Sequence, residues 1–193
     1  MLKDIITSEV RIKIIKELYR NLRTPIHIRG LSRRVGTEIN AVRRELTRLQ
    51  KCGMLKKEAK ANKIFYSVRT DYSSFGELLS FVNKETGLGG RIVKNLAELG
   101  KVKFALLSTE FALGRVASPK DVDLLMVGVI DIKYLQELVK KSEKELGQEI
   151  NYTVLGEDEF NFKKARRDPF ISSILLQGRI ILVGDESKFC LVK

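Results

Sequence analysis

Histidine occurs once in the 193 residues, tryptophan is absent, and cysteine appears only at positions 52 and 190. A zinc hydrolase needs several imidazole or thiolate ligands, and a serine or cysteine triad needs a histidine base beside its nucleophile. One histidine removes most parts of both. His27 itself lies between Ile26 and Ile28, neighbours that favour a structural or solvent-facing role over ligation. Cys52 and Cys190 are too far apart for a metal spacing and too few for a disulfide framework. Long apolar runs are missing as well: the stretch from Leu124 to Ile130 falls far short of the roughly 18 residues of a membrane span. The start, Met1-Leu2-Lys3-Asp4, has no apolar signal core. These absences predict a cytoplasmic, reduced protein with no membrane partner. No internal repeat or low-complexity segment interrupts the chain.

What is present is charge, unevenly placed. The formal net charge is +12; residues 1–70 hold 18 Lys and Arg against 6 Asp and Glu, whereas residues 71–193 hold 18 against 18. A positive field confined to one small module is the footprint of a phosphate-backbone binder. With 44% hydrophobic residues the chain can bury one good core or two small ones, and the charge break favours two. Three segments are expected: a DNA-binding module over 1–70, a helical connector over 71–100, and an α+β domain over 101–193.

In the basic module, Val10, Ile14, Ile15, Leu18 and Leu22 recur at helical spacing behind Ser8, a suitable cap. Thr24-Pro25 breaks that helix and Ile26-His27-Ile28 is extended. Ile28, Leu31 and Val35 then place a stripe on a short helix ending at Gly36. A third helix from Ile39 to Lys51 turns Ile39, Val42, Leu46 and Leu49 inward, leaving Asn40, Arg43, Arg44, Thr47 and Arg48 outward. Leu55 to Arg69 alternates as a hairpin turning at Ala59-Lys60-Ala61-Asn62, with Lys56, Lys57, Lys60 and Lys63 around its tip.

Helix, helix, turn, helix, hairpin is the winged helix-turn-helix order. The segment from Ser8 to Arg69 resembles the DNA-binding domains of ArsR and MarR-like prokaryotic regulators. The resemblance is carried by residues 28–36, Asn40-Ala41-Val42-Arg43-Arg44-Glu45-Leu46, residues 49–55 and Asn62-Lys63-Ile64-Phe65-Tyr66. It implies double-stranded DNA as partner, with Arg33, Arg34, Asn40, Arg43, Arg44, Thr47 and Arg48 on the helices and Lys60 and Lys63 on the wing as contacts. The metal-sensing cysteine and histidine clusters of that family are missing, which argues against metal-responsive repression. A solvated arginine surface on a protein-interaction domain is the competing reading.

In the connector, Phe75, Leu78, Leu79 and Val82 form an apolar helix face, Gly87-Leu88-Gly89-Gly90 interrupts it, and Ile92, Val93, Leu96 and Leu99 resume it. Such a face must pack. A homodimer on a pseudo-palindromic site is the expectation that the resemblance supplies, with packing against the second domain as the other option.

The second module reads as a strand from Lys101 to Leu107, a helical turn from Thr109 to Gly114, and a buried strand from Val122 to Val129. A helix from Asp131 to Leu146 and a strand from Glu149 to Leu155 follow. Two helical segments, from Glu157 and from Pro169, and a last strand at Ile180 to Val183 complete a mixed sheet. Asp121 and Asp123 are two apart at a strand start. Alternation projects both carboxylates from one face, where they can share divalent cations with a triphosphate, as in two-metal nucleotidyl transfer. Lys163, Lys164, Arg166 and Arg167 read as a solvated helix face.

The stretch from about Lys101 to Lys188 resembles the minimal nucleotidyltransferases of the DNA polymerase beta superfamily. Their pattern is a strand, Gly-Ser at a helix start, a second Gly, then Ser-Asp-x-Asp and an apolar strand. Gly114, Asp121, Asp123 and Leu124-Leu125-Met126-Val127 match it, with Glu159-Phe160, Asp168-Pro169-Phe170 and Leu182-Val183-Gly184-Asp185 in support. For an active enzyme the resemblance implies Mg2+ and a nucleoside triphosphate, Asp121 and Asp123 as metal ligands, and Thr109, Glu110 and Gly114 at the nucleotide. Glu149, sharing a face with Asn151 on the next central strand, is the candidate third acid. Thr109 and Glu110 replace the Gly-Ser, however, and Lys120 replaces the Ser. A carboxylate beside a phosphate at about 5 Å and an effective dielectric of about 20 is repelled by about 3 kcal/mol.

The sequence therefore predicts a prokaryotic-type, archaeal-like transcriptional regulator whose nucleotidyltransferase-like domain is degenerate and serves sensing or oligomerisation. The alternatives are an active Mg-dependent transferase acting on a protein, RNA or small molecule, and a pure interaction module.

Overall fold

Ser8 accepts a hydrogen bond from the Arg11 N–H at 3.2 Å and so starts α1 (Glu9–Arg20). The computed structural model describes residues 6–60, 62–115 and 121–191; the Met1-Leu2-Lys3-Asp4 start, Ala61 of the hairpin turn and Lys120 lie outside them. The chain divides into two units, Met1–Val82 and Asn83–Lys193. The division falls within the stretch read as a connector.

In the first unit, β1 (Ile26–His27) leads directly into α2 (Ile28–Val35), which ends where Gly36 takes the left-handed conformation at φ +61°. After the turn, α3 (Ile39–Lys51) runs to Cys52, and β2 (Leu55–Lys60) and β3 (Lys63–Val68) form the hairpin. The three strands make one antiparallel sheet in the order β1-β3-β2, with Ile26 opposite Tyr66 and Lys60 opposite Lys63. The core is the helical stripe predicted from spacing: Ile14, Leu31, Val42 and Leu46 are fully buried. Ile39, expected among them, is half-buried at the start of α3. Glu45 is a charge inside this core. Its carboxylate accepts from Ser8 Oγ at 3.0 Å, Arg11 Nε at 2.8 Å and Arg48 at 3.3 Å, which satisfies it.

Next come α4 (Phe75–Glu85), α5 (Gly87–Lys94) and α6 (Leu96–Leu99). Leu79 and Val82 are buried within the single chain, and Phe75 stacks on Tyr19 of α1 at 5.6 Å. The helix does break at Thr86-Gly87, where Gly87 takes φ +59°, so the interruption falls where the glycines place it; Gly89 and Gly90 are already inside α5. A Cβ on Gly89 would stand 2.4 Å from the Asn83 carbonyl oxygen of α4 and 3.0 Å from Leu107, so glycine there lets α5 close first against the end of α4 and then against the sheet.

The second unit is built on a four-stranded mixed sheet. Its strands are β4 (Gly100–Ser108), β5 (Leu124–Ile130), β6 (Tyr152–Leu155) and β7 (Arg179–Val183), in the order β6-β5-β4-β7, with only β5 and β6 parallel. The helices are α7 (Thr109–Ala112), α8 (Ile132–Leu146), α9 (Glu157–Ala165), α10 (Pro169–Leu176) and α11 (Glu186–Cys190). Strand alternation gives the sheet two apolar faces. Phe104, Leu106, Leu125 and Val127 pack with Phe160, Ile171, Ile174 and Phe189 on one side, while Leu107 meets α5 on the other.

Four readings of this unit change. Val129, expected in a buried strand, is 74% exposed at the end of β5. The strand expected from Glu149 begins only at Tyr152, and β6 is an edge strand rather than a central one. A short helix, α11, follows β7 where none was predicted. Lys164 is not on a solvated face: it is 6% exposed, donates to the Phe189 carbonyl at 2.9 Å and lies 4.9 Å from the Phe160 ring centre. Burial pushes its ammonium pKa down.

Candidate functional site

Two places in the fold gather chemistry-bearing residues, one in each unit. In the first, α2, α3 and the β2–β3 hairpin enclose a groove of about 1050 Å³. Four cations line it, Arg29, Arg33, Arg43 and Lys63, together with apolar Ile28, Ile39 and Ile64; no described acidic side chain does. Periodicity explains the arrangement. The buried stripe of α3 holds Val42, Leu46 and Leu49 inside, so Arg43 and Thr47 face outward on one side of the helix. The Arg43 guanidinium donates to Asn40 Oδ1 at 3.3 Å. The Thr47 hydroxyl donates to the Arg43 carbonyl at 2.9 Å, leaving its oxygen able to accept from outside.

The nine residues expected at DNA are all exposed, but only some converge. Arg33, Arg43, Thr47 and Lys63 line the groove. Arg34 pairs with Glu17 of α1 at 3.0 Å, Arg48 with Glu45 at 3.3 Å, and Lys60 with Glu58 at 3.7 Å. Asn40 sits beside the groove through Arg43, and Arg44 lies outside its lining. Sequence reasoning passed over Arg29, Asn62 and His27, which also line it. His27 was legible: a histidine three residues before a glycine at a helix start can cap, and here Nδ1 accepts from the Gly30 N–H at 3.0 Å.

In the second unit, β4 ends at Ser108, whose Oγ caps α7 by accepting from the Phe111 N–H at 3.1 Å. Thr109 donates its N–H to the Gly178 carbonyl at 2.9 Å. Two amides that a phosphate loop would present are therefore already bonded. Glu110 is exposed and ion-paired with Arg115, a cation that moderates the repulsion expected from its carboxylate. Gly114 closes the turn at φ +70°, its N–H donating to the Phe111 carbonyl at 2.8 Å.

The carboxylates Asp121 and Asp123 precede β5 rather than alternating along it. Asp121 is exposed, whereas Asp123 is 2% exposed. Asp123 donates its N–H to the Asn151 carbonyl at 2.8 Å, and its Oδ2 accepts the Asn151 N–H at 2.9 Å. Burial raises the Asp123 carboxyl pKa; the Asn151 N–H opposes this, and the Asp121 charge adds to it. Glu149 is exposed, outside β6.

Among the described residues no three His, Cys, Asp or Glu side chains gather to hold a metal ion. The donor set is two carboxylates, one committed through an oxygen to a backbone amide, with an asparagine at the neighbouring strand position. That set does not complete a two-metal site. Among the described residues no helix is long and apolar enough to cross a membrane.

Over 82 residues the chain is 32% identical to "Putative protein adenylyltransferase MJ0604" of Methanocaldococcus jannaschii, spanning 42% of this chain and 80% of that protein. The chain belongs to that protein's family. It therefore carries a nucleotidyltransferase-like part, which takes up less than half of its length. The chain is also similar to a solved structure of reduced HlyU from Vibrio cholerae N16961, at 24% identity and a TM-score of 0.33, over 42% of this chain and 83% of that one. No protein-family model matches the chain.

Proposed function

We propose that the protein is a DNA-binding transcriptional regulator in which the first unit holds the duplex and the nucleotidyltransferase-like part serves sensing or oligomerisation. The observation that carries this reading is the groove: four cations on three elements, with no described acid among its lining. The order α1-β1-α2-α3-hairpin, with β1 completing a three-stranded sheet, supports a winged helix-turn-helix of the ArsR or MarR-like type. At 13 residues α3 is about 20 Å long, a size suited to a major groove about 12 Å wide. Phosphate contacts from the cations would position the duplex, and outward side chains of α3 would meet base edges. A second copy of the chain is the proposed partner for a two-half-site operator.

The committed Thr109 and Phe111 amides and the incomplete carboxylate set support a sensing or scaffolding role for the second unit. The 32% identity to an adenylyltransferase favours a second reading, an active enzyme that moves a nucleotide onto a protein, RNA or small-molecule acceptor and uses the first unit for targeting.

Gel shifts with random duplex across a salt series test the first reading. Retention that weakens steeply as salt rises is expected, and no retention at low salt defeats it. Incubation with Mg2+ and α-labelled ATP tests the second, which stands if label reaches an acceptor.

A further inference from the structure

We propose that His27 contacts the DNA backbone through its Nε2–H, as a neutral donor held in place by the cap it forms. This rests on the duplex-binding reading of the groove and names one atom of it. His27 ends β1 and precedes α2 with extended backbone angles, and its Nδ1 accepts the Gly30 N–H at 3.0 Å. A ring nitrogen that accepts carries no proton, so the single ring N–H sits on Nε2. Gly30 lies against the ring: a Cβ there would meet His27 Cε1 at 3.4 Å and Nε2 at 3.5 Å, ordinary van der Waals contact. Phe65 of β3 meets the ring edge-on, with centroids 5.8 Å apart and planes at 88°. The imidazole is thus fixed from two sides.

The Nε2–H has no hydrogen-bond partner among the described residues, and His27 is only half-buried. His27 lines both the groove and a smaller cavity beside it, formed with Pro25, Ile26, Gly30, Arg33 and Arg34; the charged side chains around the two are Arg29, Arg33, Arg34, Arg43 and Lys63, all donors. The N-terminus of α2 adds further positive potential. A neutral donor set among these cationic donors lacks only an acceptor, and a chain of phosphate oxygens supplies one while satisfying the cations.

Because the chain has one histidine, its imidazole nitrogen NMR signals report this residue alone. At pH 8 the free protein should show the Nε2–H tautomer, and adding duplex at low salt should shift the Nε2 signal. The variant His27→Asn keeps a capping oxygen but loses the ring N–H. It should bind duplex about fivefold more weakly, the effect of one neutral hydrogen bond. The slope of affinity against salt should not change, since a neutral donor displaces no counterion. The proposal is overturned if wild-type protein binds duplex while the Nε2 signal stays put, if His27→Asn binds as wild type does, or if its salt slope drops by about one. A wild-type protein that binds no duplex overturns the groove reading itself, and this proposal with it.

Discussion

Asp123 and Asn151 are tied by two reciprocal hydrogen bonds, the Asp123 N–H to the Asn151 carbonyl at 2.8 Å and the Asn151 N–H to Asp123 Oδ2 at 2.9 Å. The carboxylate is thereby buried with one oxygen engaged, and burial raises its pKa despite that bond. A carboxyl whose folded pKa is raised contributes stability at pH values below its unfolded pKa and loses it as pH rises through the folded value. Asp123→Asn should therefore raise the thermal midpoint at pH 7 by about 2–4 °C, and the gain should vanish near pH 3.5. A midpoint that falls at pH 7 would mean that the charge itself stabilises the site.

Glu45 is the opposite case. Burial alone would raise its carboxyl pKa, but hydrogen bonds from Arg11 and Ser8 and the charges of Arg11 and Arg48 outweigh it and hold the pKa low. The stability this supplies is present above the ordinary carboxylate range and is lost as pH falls through the lowered value. Glu45→Ala should cost about 2 kcal/mol at pH 7, with a smaller loss at pH 3. Urea unfolding at the two pH values reads this directly, and equal losses at both would remove ionisation from the explanation.

The ion pairs divide the arginines by role. Arg43 faces the groove, whereas Arg34 is held by Glu17. Arg43→Ala should weaken duplex binding by about 1–3 kcal/mol and reduce the salt slope by about one, and Arg34→Ala should leave the slope unchanged. Lys63→Ala should exceed Lys60→Ala for the same reason, since Glu58 already pairs with Lys60. Equal effects at Arg34 and Arg43 would move the interface away from the groove.

Gly89→Ala separates helix propensity from packing. Alanine in a helix gains about 1 kcal/mol over glycine, but the new methyl would stand 2.4 Å from the Asn83 carbonyl oxygen. Overpacking of this kind costs about 1–3 kcal/mol, and backbone rather than a flexible side-chain end must yield. A net loss of stability is expected in chemical denaturation, and a net gain would show that α5 can shift freely.

Much of this fold is written in local patterns. The period of Ile14, Leu18, Val42 and Leu46 fixes which helix faces are buried, and Pro25, Gly36 and Gly53 punctuate the elements between them. Gly87 marks the break that its local signal announces, while Gly89 and Gly90 lie inside α5 because the backbone of Asn83 and Glu85 at the end of α4 comes too close for a Cβ. Lys164 was misread: its neighbours are charged, and only the return of α11 places the Phe189 carbonyl above it. At the site, the outward arginines could be read from periodicity, but not that Glu17 of α1 neutralises Arg34, because that partner is set by tertiary contact, whereas the Glu45–Arg48 and Glu58–Lys60 pairs are local in sequence. Asp121 and Asp123 were visible as a pair. Their unequal burial depends on Asn151, which comes from the next strand.

That neighbour offers the sharpest test of the second unit. Asn151 stands one position before the first β5–β6 register pair, Leu124 with Tyr152, and so lies beside Asp123. Asn151→Asp would place a third carboxylate there without removing the backbone N–H that Asp123 uses. Like charges about 4–5 Å apart at an effective dielectric of about 20 repel by about 3–4 kcal/mol, so the metal-free variant should melt several degrees below wild type. Millimolar Mg2+ or Mn2+ should restore most of that loss, because three hard oxygen donors hold a divalent cation far better than two. The wild-type midpoint should move much less under the same titration. If the variant is destabilised and neither cation rescues it, the three side chains do not converge on one point, and the carboxylate pair is part of the scaffold around β5 and not the remnant of a metal site.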